Sequence, residues 1–251
     1  MKTCVFCNVE LTKSNRSKKH VIPRWLQENR GIPDEVLSAG FGDSSGITIQ
    51  RRLDMDSFLA GNVCTACNNG WMNDLEVDTR DILIRLLDRL LSPKQLNDDD
   101  LLQLAKWNVK TAIACNSALP GDPKIDPSFV KQFGFARGRN LGTCGVFAGF
   151  LNIPNRFGYI QITADNPMLV GQNPAQFCVA LYLDRLFLIT VIAAKGLGYT
   201  FELVENVHIP IWPGRGHEFR KDQHSLPLTG TEGDLKTVTD ALQVRYRFEV
   251  T

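Results

Sequence analysis

Two short cysteine pairs, Cys4-Val5-Phe6-Cys7 and Cys64-Thr65-Ala66-Cys67, decide how the N-terminal part of this chain folds. Two thiolates separated by two residues sit on one tight turn, and two such turns complete a closed tetrahedral zinc site. We therefore expect the four thiols to share one structural zinc ion. The stretch between the pairs is longer than in compact zinc ribbons, so the alternative of two pairs that share no metal stays open.

The composition is typical of a soluble globular protein. Of 251 residues, 43% are hydrophobic and 22% charged, and no apolar run approaches the roughly 20 residues that a membrane span needs. The first residues lack the apolar segment of a secretory signal. We therefore expect a protein of the bacterial cytoplasm, without membrane association, in which paired cysteines bind metal and do not form disulfides.

Positive charge is concentrated near the N-terminus. The whole chain has a net charge of +1, but residues 1–30 hold seven lysines and arginines against two glutamates, a local charge of +5. A cluster of this kind is suited to contact phosphates, with Lys18, Lys19 and Arg24 as the candidate nucleic-acid-binding residues. The plainer alternative is a solvated lysine-rich loop.

The pattern of apolar residues divides the chain into an N-terminal module, residues 1–92, and a C-terminal region, residues 93–251. Near-helical spacing predicts a helix over 69–91 that follows the second cysteine pair, and a connecting helix over 99–118. Asp98, Asp99 or Asp100 is the expected N-cap of the connecting helix. The stretch 31–61, between the pairs, is interpreted as an insertion with a short strand at 47–53.

The C-terminal region has short apolar runs separated by Gly, Pro and Asn, a pattern that predicts strands at 145–151, 159–163, 177–183, 186–193, 200–203 and 243–250. The tight Asp184-Arg185 connection predicts a hairpin, and hence a mainly antiparallel sheet. The expected fold class is α+β. We expect this region to recognise substrate, or to bind a protein partner or a second copy.

Several isolated residues are given structural interpretations. Cys115, Cys144 and Cys178 stand alone in apolar surroundings, so we expect buried small side chains and not metal ligands. The histidines of the C-terminal region have no ligand-like spacing, and we interpret them as structural or surface residues; they are His208, His217 and His224.

The residues around the cysteines resemble a known family. The order Cys4-x2-Cys7, then Ser17-Lys18-Lys19-His20-Val21-Ile22-Pro23-Arg24-Trp25-Leu26, then Cys64-x2-Cys67-Asn68-Asn69-Gly70-Trp71-Met72 is similar to the HNH, or His-Me finger, endonucleases of the Cys4 zinc type. The resemblance covers residues 4–76, with a weaker echo over 104–112. It implies a zinc-stapled, treble-clef-like ββα-metal module that hydrolyses phosphodiester bonds of DNA with a divalent metal; RNA is an alternative substrate.

The resemblance also implies a role for each matching residue. His20 takes the position of the histidine that activates water as the general base. Asn68, directly after the fourth cysteine, takes the position of a metal-binding asparagine, so we expect it to help hold a catalytic Mg²⁺ or Mn²⁺. Asn62 is the candidate for the asparagine that orients the histidine loop, with capping or turn duty as the alternative.

Lys19 departs from the family pattern. The family has Asp or Glu there as a ligand of the catalytic metal, and a protonated lysine cannot ligate a cation. Either Asn73, Asp74 or Glu76 on the following helix replaces the ligand, or catalysis is weakened, or the chain is a zinc-stapled nucleic-acid- or protein-binding scaffold, for example in anti-phage defence. Lys19 would also be able to neutralise a phosphate directly.

Overall fold

The computed structural model describes residues 1–32, 35–43, 46–119, 125–142, 144–150, 157–164, 176–193, 199–204, 209–212, 220–222 and 246–248. His208, His217 and His224 lie outside these ranges, so their predicted roles stay predictions. None of the helices within these ranges has both the length and the apolar character needed to cross a lipid bilayer.

The fold is α+β, as the sequence predicts. The helices are α1 (Arg24–Arg30), α2 (Thr65–Asn69), α3 (Trp71–Leu87), α4 (Asp98–Ala118) and α5 (Pro127–Phe135), with a 3₁₀ turn at Pro93–Gln95. The strands are β1 (Arg16–His20), β2 (Val36–Asp43), β3 (Gly46–Asp54), β4 (Leu59–Cys64), β5 (Cys144–Phe150), β6 (Phe157–Ala164), β7 (Gln176–Leu183), β8 (Leu186–Ala193), β9 (Tyr199–Val204), β10 (Ile209–Trp212), β11 (Arg220–Asp222) and β12 (Tyr246–Phe248).

A two-stranded antiparallel ribbon, β1 with β4, brings the cysteine pairs together. Its register places Arg16 opposite Cys64 and His20 opposite Leu59. The first cysteine turn is tied to the same ribbon, because the backbone N–H of Val5 donates to the carbonyl of Asn62 at 2.9 Å. The chain segments before β1 and after β4 therefore meet at one end of the ribbon.

The helix predicted over 69–91 is α3, which begins at Trp71 and ends at Leu87, and the short helix α2 precedes it across Gly70. The N–H of Gly70 donates to the carbonyl oxygen of Ala66 at 3.2 Å. A Cβ at this position would lie 2.7 Å from that oxygen, so the close approach requires glycine. The short helix that carries Cys67 therefore ends before the long helix that carries Glu76 begins.

Helix α4 is the connecting helix predicted over 99–118, but its N-cap is Asn97. The Asn97 Oδ1 accepts from the backbone N–H of Asp100 at 2.8 Å. The prediction of an aspartate cap was therefore wrong; Asp98, Asp99 and Asp100 occupy the first turn, where negative charge favours the helix dipole. The helix packs against α3 and the large sheet, and the Asn108 amide reaches Thr190 Oγ1 of β8 at 2.9 Å.

Seven of the described strands form one mixed sheet, in the order β10-β5-β8-β7-β6-β2-β3. All neighbouring strands in it are antiparallel except β2 and β6, which confirms the expectation of a mainly antiparallel sheet. The predicted hairpin is also confirmed, since Leu183 pairs with Leu186 and Asp184 has a positive φ of 57° in the turn. A smaller sheet has the order β11-β9-β12.

The segment between the cysteine pairs belongs to the large sheet. Strands β2 and β3 pair with each other, and β2 runs parallel to β6, with Ser38 opposite Gly158. A strand is thus confirmed where 47–53 predicts one, but the sheet extends beyond the predicted insertion. The predicted boundary at residue 92 does not separate the strands, because segments from both sides of it build one sheet.

Candidate metal centre and active site

The four cysteines of the two pairs lie together at the end of the β1–β4 ribbon. Their Sγ atoms all lie within 4.8 Å of one another, and those of Cys7 and Cys64 are 3.6 Å apart. Cys4, Cys64 and Cys67 are buried, and Cys7 is half-buried. All four are free thiols, so the predicted pairing of the two turns around one site is confirmed by the geometry.

Backbone donors surround the sulfur atoms. The N–H of Cys64 donates to Cys4 Sγ and the N–H of Cys67 donates to Cys64 Sγ, each at 3.4 Å. Asn8 adopts a positive φ of 60°, which closes the first turn, and its N–H donates to the Cys4 carbonyl at 2.8 Å. N–H groups that point at sulfur stabilise thiolates, the form that binds metal.

The thiols influence one another's protonation. A hydrogen bond from the Cys67 side chain, helped by backbone donors and opposed by burial, lowers the pKa of Cys4 to about 4. The same bond, together with burial, raises the pKa of Cys67 above its ordinary value, and burial raises the pKa of Cys7. A metal ion that binds here would displace the protons that remain, so acid would weaken its binding.

The geometry fits a tetrahedral ion. A zinc–sulfur bond of about 2.3 Å gives sulfur–sulfur separations of roughly 3.8 Å, close to those of the cluster. The four cysteines could therefore hold a metal ion such as zinc. Cys115, Cys144 and Cys178 are buried elsewhere, as predicted, and burial raises the pKa of Cys144 to about 12.

His20 ends strand β1 and is half-buried. Its Nδ1 is buried and has no hydrogen-bond partner among the described residues. Burial lowers the pKa of His20 below its ordinary value; Asp56 opposes this effect, whereas Arg24 and Lys19 add to it. The imidazole is therefore neutral at neutral pH, the form that accepts a proton.

The surface beside His20 carries positive and negative side chains. Arg24, in the first turn of α1, and Asp56, between β3 and β4, face each other at 3.9 Å, and both side chains are about two-thirds exposed. Lys18 is exposed on β1. An exposed pair of this kind contributes little to stability, so Arg24 is free to change partners.

Asn68 and Asn62 occupy different positions relative to His20. The Asn68 amide of α2 donates to Ser17 Oγ at 2.8 Å, which places it against the strand that carries His20. Asn62 lies about 10 Å along β4 from Leu59, the residue opposite His20. Among the described residues, neither the Asn62 Oδ1 nor the His20 Nδ1 has a hydrogen-bond partner, so the two side chains are not bonded to each other, and the loop-orienting role of Asn62 stays a prediction.

A buried ion cluster lies behind His20. The Glu76 Oε1 of α3 accepts from Lys19 Nζ of β1 at 2.5 Å and from Lys110 Nζ of α4 at 2.8 Å. Burial raises the pKa of Glu76, but the charges of Lys110 and Lys19 outweigh this and hold it below its ordinary value. Burial lowers the pKa of the fully buried Lys110 to about 8, against the attraction of Glu76.

This cluster corrects two predictions. Lys19 is only 7% exposed and faces Glu76, so it is not placed to contact a phosphate of nucleic acid. Glu76 is equally buried and its Oε1 is shared by two ammonium groups, so it is not placed to bind a catalytic metal. Of the other proposed ligands on α3, Asn73 is exposed in the first turn.

Lys110 is the member of the cluster that the sequence did not indicate. The inward position of Lys19 follows from the alternation of β1, in which Ser17 and Lys19 are buried and Lys18 is exposed. Lys110 offers no such signal, because most residues of α4 between Leu104 and Asn116 are buried and the helix has no single inward stripe.

Comparison with family models, with curated proteins and with solved structures found no match to this chain. The residues of the site itself are therefore the basis on which a function is proposed.

The cysteine cluster predicts a zinc-dependent fold. Cys67→Ser removes one of four ligands, so we expect loss of zinc and a Tm lower by about 10 °C or more, each kcal/mol being worth roughly 2–4 °C in a chain of this size. Zinc content by mass spectrometry and thermal unfolding measure both effects. Cys144→Ala is the control and should keep its zinc; equal zinc content in the two variants would contradict the assignment.

The ion cluster predicts a large penalty for losing its carboxylate. Glu76→Gln leaves two ammonium groups buried without a counter-charge, so we expect a loss of about 3–5 kcal/mol in the free energy of unfolding. Asp78→Asn, which neutralises an exposed carboxylate of the same helix, should change it by about 0.5 kcal/mol or less. Denaturant unfolding gives both values.

A triple variant separates charge from packing. Lys19→Met/Glu76→Leu/Lys110→Met removes the whole cluster in favour of apolar side chains, which is often neutral for stability. We expect it to be more stable than Glu76→Gln. If Glu76→Gln and Asp78→Asn have the same free energy of unfolding, the buried ion pairs of Glu76 do not stabilise the fold as described.

Proposed function

We propose that this protein is an endonuclease of the HNH, or His-Me finger, type that hydrolyses phosphodiester bonds of DNA with His20 as the general base. The observation that carries the proposal is the position of His20: a half-buried imidazole with a lowered pKa ends the strand that the four-cysteine cluster anchors.

The order of elements supports the proposal. The first cysteine pair precedes β1, the second pair spans the end of β4 and the start of α2, and the long helix α3 follows at once. Two strands and a helix arranged around a cysteine cluster match what the resemblance implies for a zinc-stapled ββα module. Asn68, after the fourth cysteine, lies against β1 through Ser17.

The chemistry proposed for His20 follows from its environment. Because Nδ1 is buried, the ring edge that carries Nε2 is the one left for water. A neutral imidazole takes a proton from that water as the water oxygen bonds to phosphorus; the phosphorus–oxygen bond to the leaving group breaks, and the leaving oxygen takes a proton from solvent. The exposed Lys18 and Arg24 are the candidate phosphate contacts beside it.

The residues predicted to hold a catalytic divalent cation fit one poorly, and the exposed carboxylate described beside His20, that of Asp56, faces Arg24 at 3.9 Å. Mg²⁺ and Mn²⁺ prefer carboxylate oxygens, yet Lys19 stands where the family has an acid, and Glu76 is bound by two ammonium groups. Asn68 and Asn73 carry amide oxygens and no carboxylate. The expected need for Mg²⁺ or Mn²⁺ therefore stays a prediction that cleavage assays must decide.

The buried pair of Lys19 and Glu76 favours a second candidate function. A chain that replaces the metal-binding acid with a buried Lys19–Glu76 pair would keep the zinc-stapled scaffold and bind nucleic acid or protein without cutting it. The C-terminal region, with the large sheet that it shares with β2 and β3, is the candidate for such recognition. Because β2 pairs with β6, a truncation after α4 would break the sheet, so each function is to be tested on the full chain.

Plasmid cleavage separates the two functions. We expect the full chain with bound zinc to nick supercoiled DNA when Mg²⁺ or Mn²⁺ is added, and His20→Ala to lower the rate by about 10²–10⁴-fold, the range for loss of a general base. Agarose gels measure the rate. Lys131→Ala, an exposed cation on α5, is the control variant and should cut like the wild type.

Two results would decide against the nuclease. If wild type with intact zinc cuts neither DNA nor RNA under any metal condition, the scaffold function is supported. If His20→Ala cuts as fast as wild type, another group is the base.

The pH profile tests the environment of His20. A base must be neutral to act, and its pKa is lowered, so kcat/KM should rise with pH through a midpoint below 6.5 and then level off. Arg24→Ala removes a cation that lowers this pKa and should move the midpoint up; Asp56→Asn should move it down. A midpoint shift of the same sign in both variants would contradict the assignment.

A further inference from the structure

A concave site, whose lining includes no residue of the ion cluster, lies between α3, α4 and the turn after α5. It is an open cleft of about 280 Å³. Its floor includes the half-buried Trp71 ring and Leu75. Asp74 and Asp78 line it from α3, and three cations line it from the other elements: Lys106, Arg137 and Arg139.

The charged side chains of the cleft do not form ion pairs with one another. No ion pair within 4.0 Å joins any of these five side chains to another residue in the described part of the chain. Opposite charges line one open cleft without neutralising each other. A cavity with this lining suits a ligand that brings an anionic group to one wall and hydrogen-bond donors to the other.

The turn that carries Arg137 and Arg139 has a tight backbone conformation. Arg137 has a positive φ of 51°, and so does Gly138, at 74°. A Cβ on Gly138 would lie 3.3 Å from the Trp71 ring, so the turn rests directly on the floor of the cleft. Glycine adopts this conformation without strain, whereas Arg137 is held in it by the surrounding structure, as occurs often at binding sites.

We propose that this cleft binds a nucleotide, either free or at the end of a nucleic-acid strand. Arg137 and Arg139 supply paired N–H donors that match phosphate oxygens. Trp71 is half-buried against Phe6 and Phe133, and the part of it that lines the cleft contacts the base. Asp74 or Asp78 accepts hydrogen bonds from ring and amino N–H groups of the base, and guanine, which presents two such donors side by side, suits a carboxylate best.

The two sources of the ligand bear differently on the activity proposed above. A free nucleotide would be a separate ligand of the protein. If the ligand is the end of a nucleic-acid strand, the cleft is a second contact with the substrate of the proposed nuclease. This form of the proposal rests on the proposed function. Binding is therefore measured without added divalent cation and repeated in His20→Ala, so that failure of cleavage and failure of the cleft are distinguishable.

Calorimetric titration of the zinc-loaded full chain tests the cleft. The probes are 5′-GMP, guanosine, inorganic phosphate and a 5′-phosphorylated oligonucleotide that begins with guanine. We expect GMP to bind with a Kd of about 1 mM or tighter and more tightly than guanosine or phosphate alone. Arg137→Ala/Arg139→Ala should weaken GMP binding by about tenfold or more, as loss of charge-assisted bonds does.

Matched variants exclude a general charge effect. Lys131→Ala/Arg52→Ala removes two exposed cations outside the cleft and should bind GMP like the wild type, as should His20→Ala. Asp78→Asn should weaken GMP binding and leave phosphate binding unchanged. If the oligonucleotide binds more tightly than GMP, the ligand of the cleft is the end of a strand. If GMP binds more tightly than the oligonucleotide, the ligand is a free nucleotide.

Two results would overturn the proposal. One is the absence of saturable GMP binding in the wild type at millimolar concentration. The other is equal weakening in the cleft variant and in the control variant, since this would mean that net charge and not the cleft attracts the ligand.

Discussion

A single carboxylate, that of Glu76, joins the parts of the molecule on which its proposed chemistry depends. It receives an ammonium group from β1 and another from α4, and it lies on α3. Ion pairs out of water keep their strength only when the geometry is good, and an unpaired partner costs several kcal/mol. The strand that ends in His20 and the helix that backs the large sheet are therefore fixed relative to each other.

The same cluster explains why the site divides between two interpretations. The cysteine cluster, the strand pair and the helix that follows have the order that the proposed nuclease needs, and burial lowers the pKa of His20. The cluster, however, engages both Lys19 and Glu76, so neither side chain is left to bind a metal at His20. Net positive charge is buried next to the histidine instead, and it contributes to the lowered pKa of that histidine.

Local patterns allowed prediction of the cysteine site, the two long helices, the hairpin at Asp184 and most of the strands, because each depends on spacing within one short segment. Long-range partners could not be predicted. Lys19 meets a carboxylate 57 positions away, and β2 pairs with β6, whose residues follow more than a hundred positions later. Nothing near Ser38 specifies Gly158, and a buried Lys110 has the same sequence appearance as an exposed one.

The parallel pairing of β2 with β6 has a consequence for synthesis on the ribosome. The β2–β3 hairpin emerges between the two cysteine pairs, well before residues 157–164 are made. Until then the inner edge of β2 has unpaired backbone groups, beside the apolar side chains of Leu37 and Ala39, which are buried in the finished fold. A nascent or interrupted chain therefore displays an open strand edge, the kind of surface that chaperones bind and that promotes aggregation.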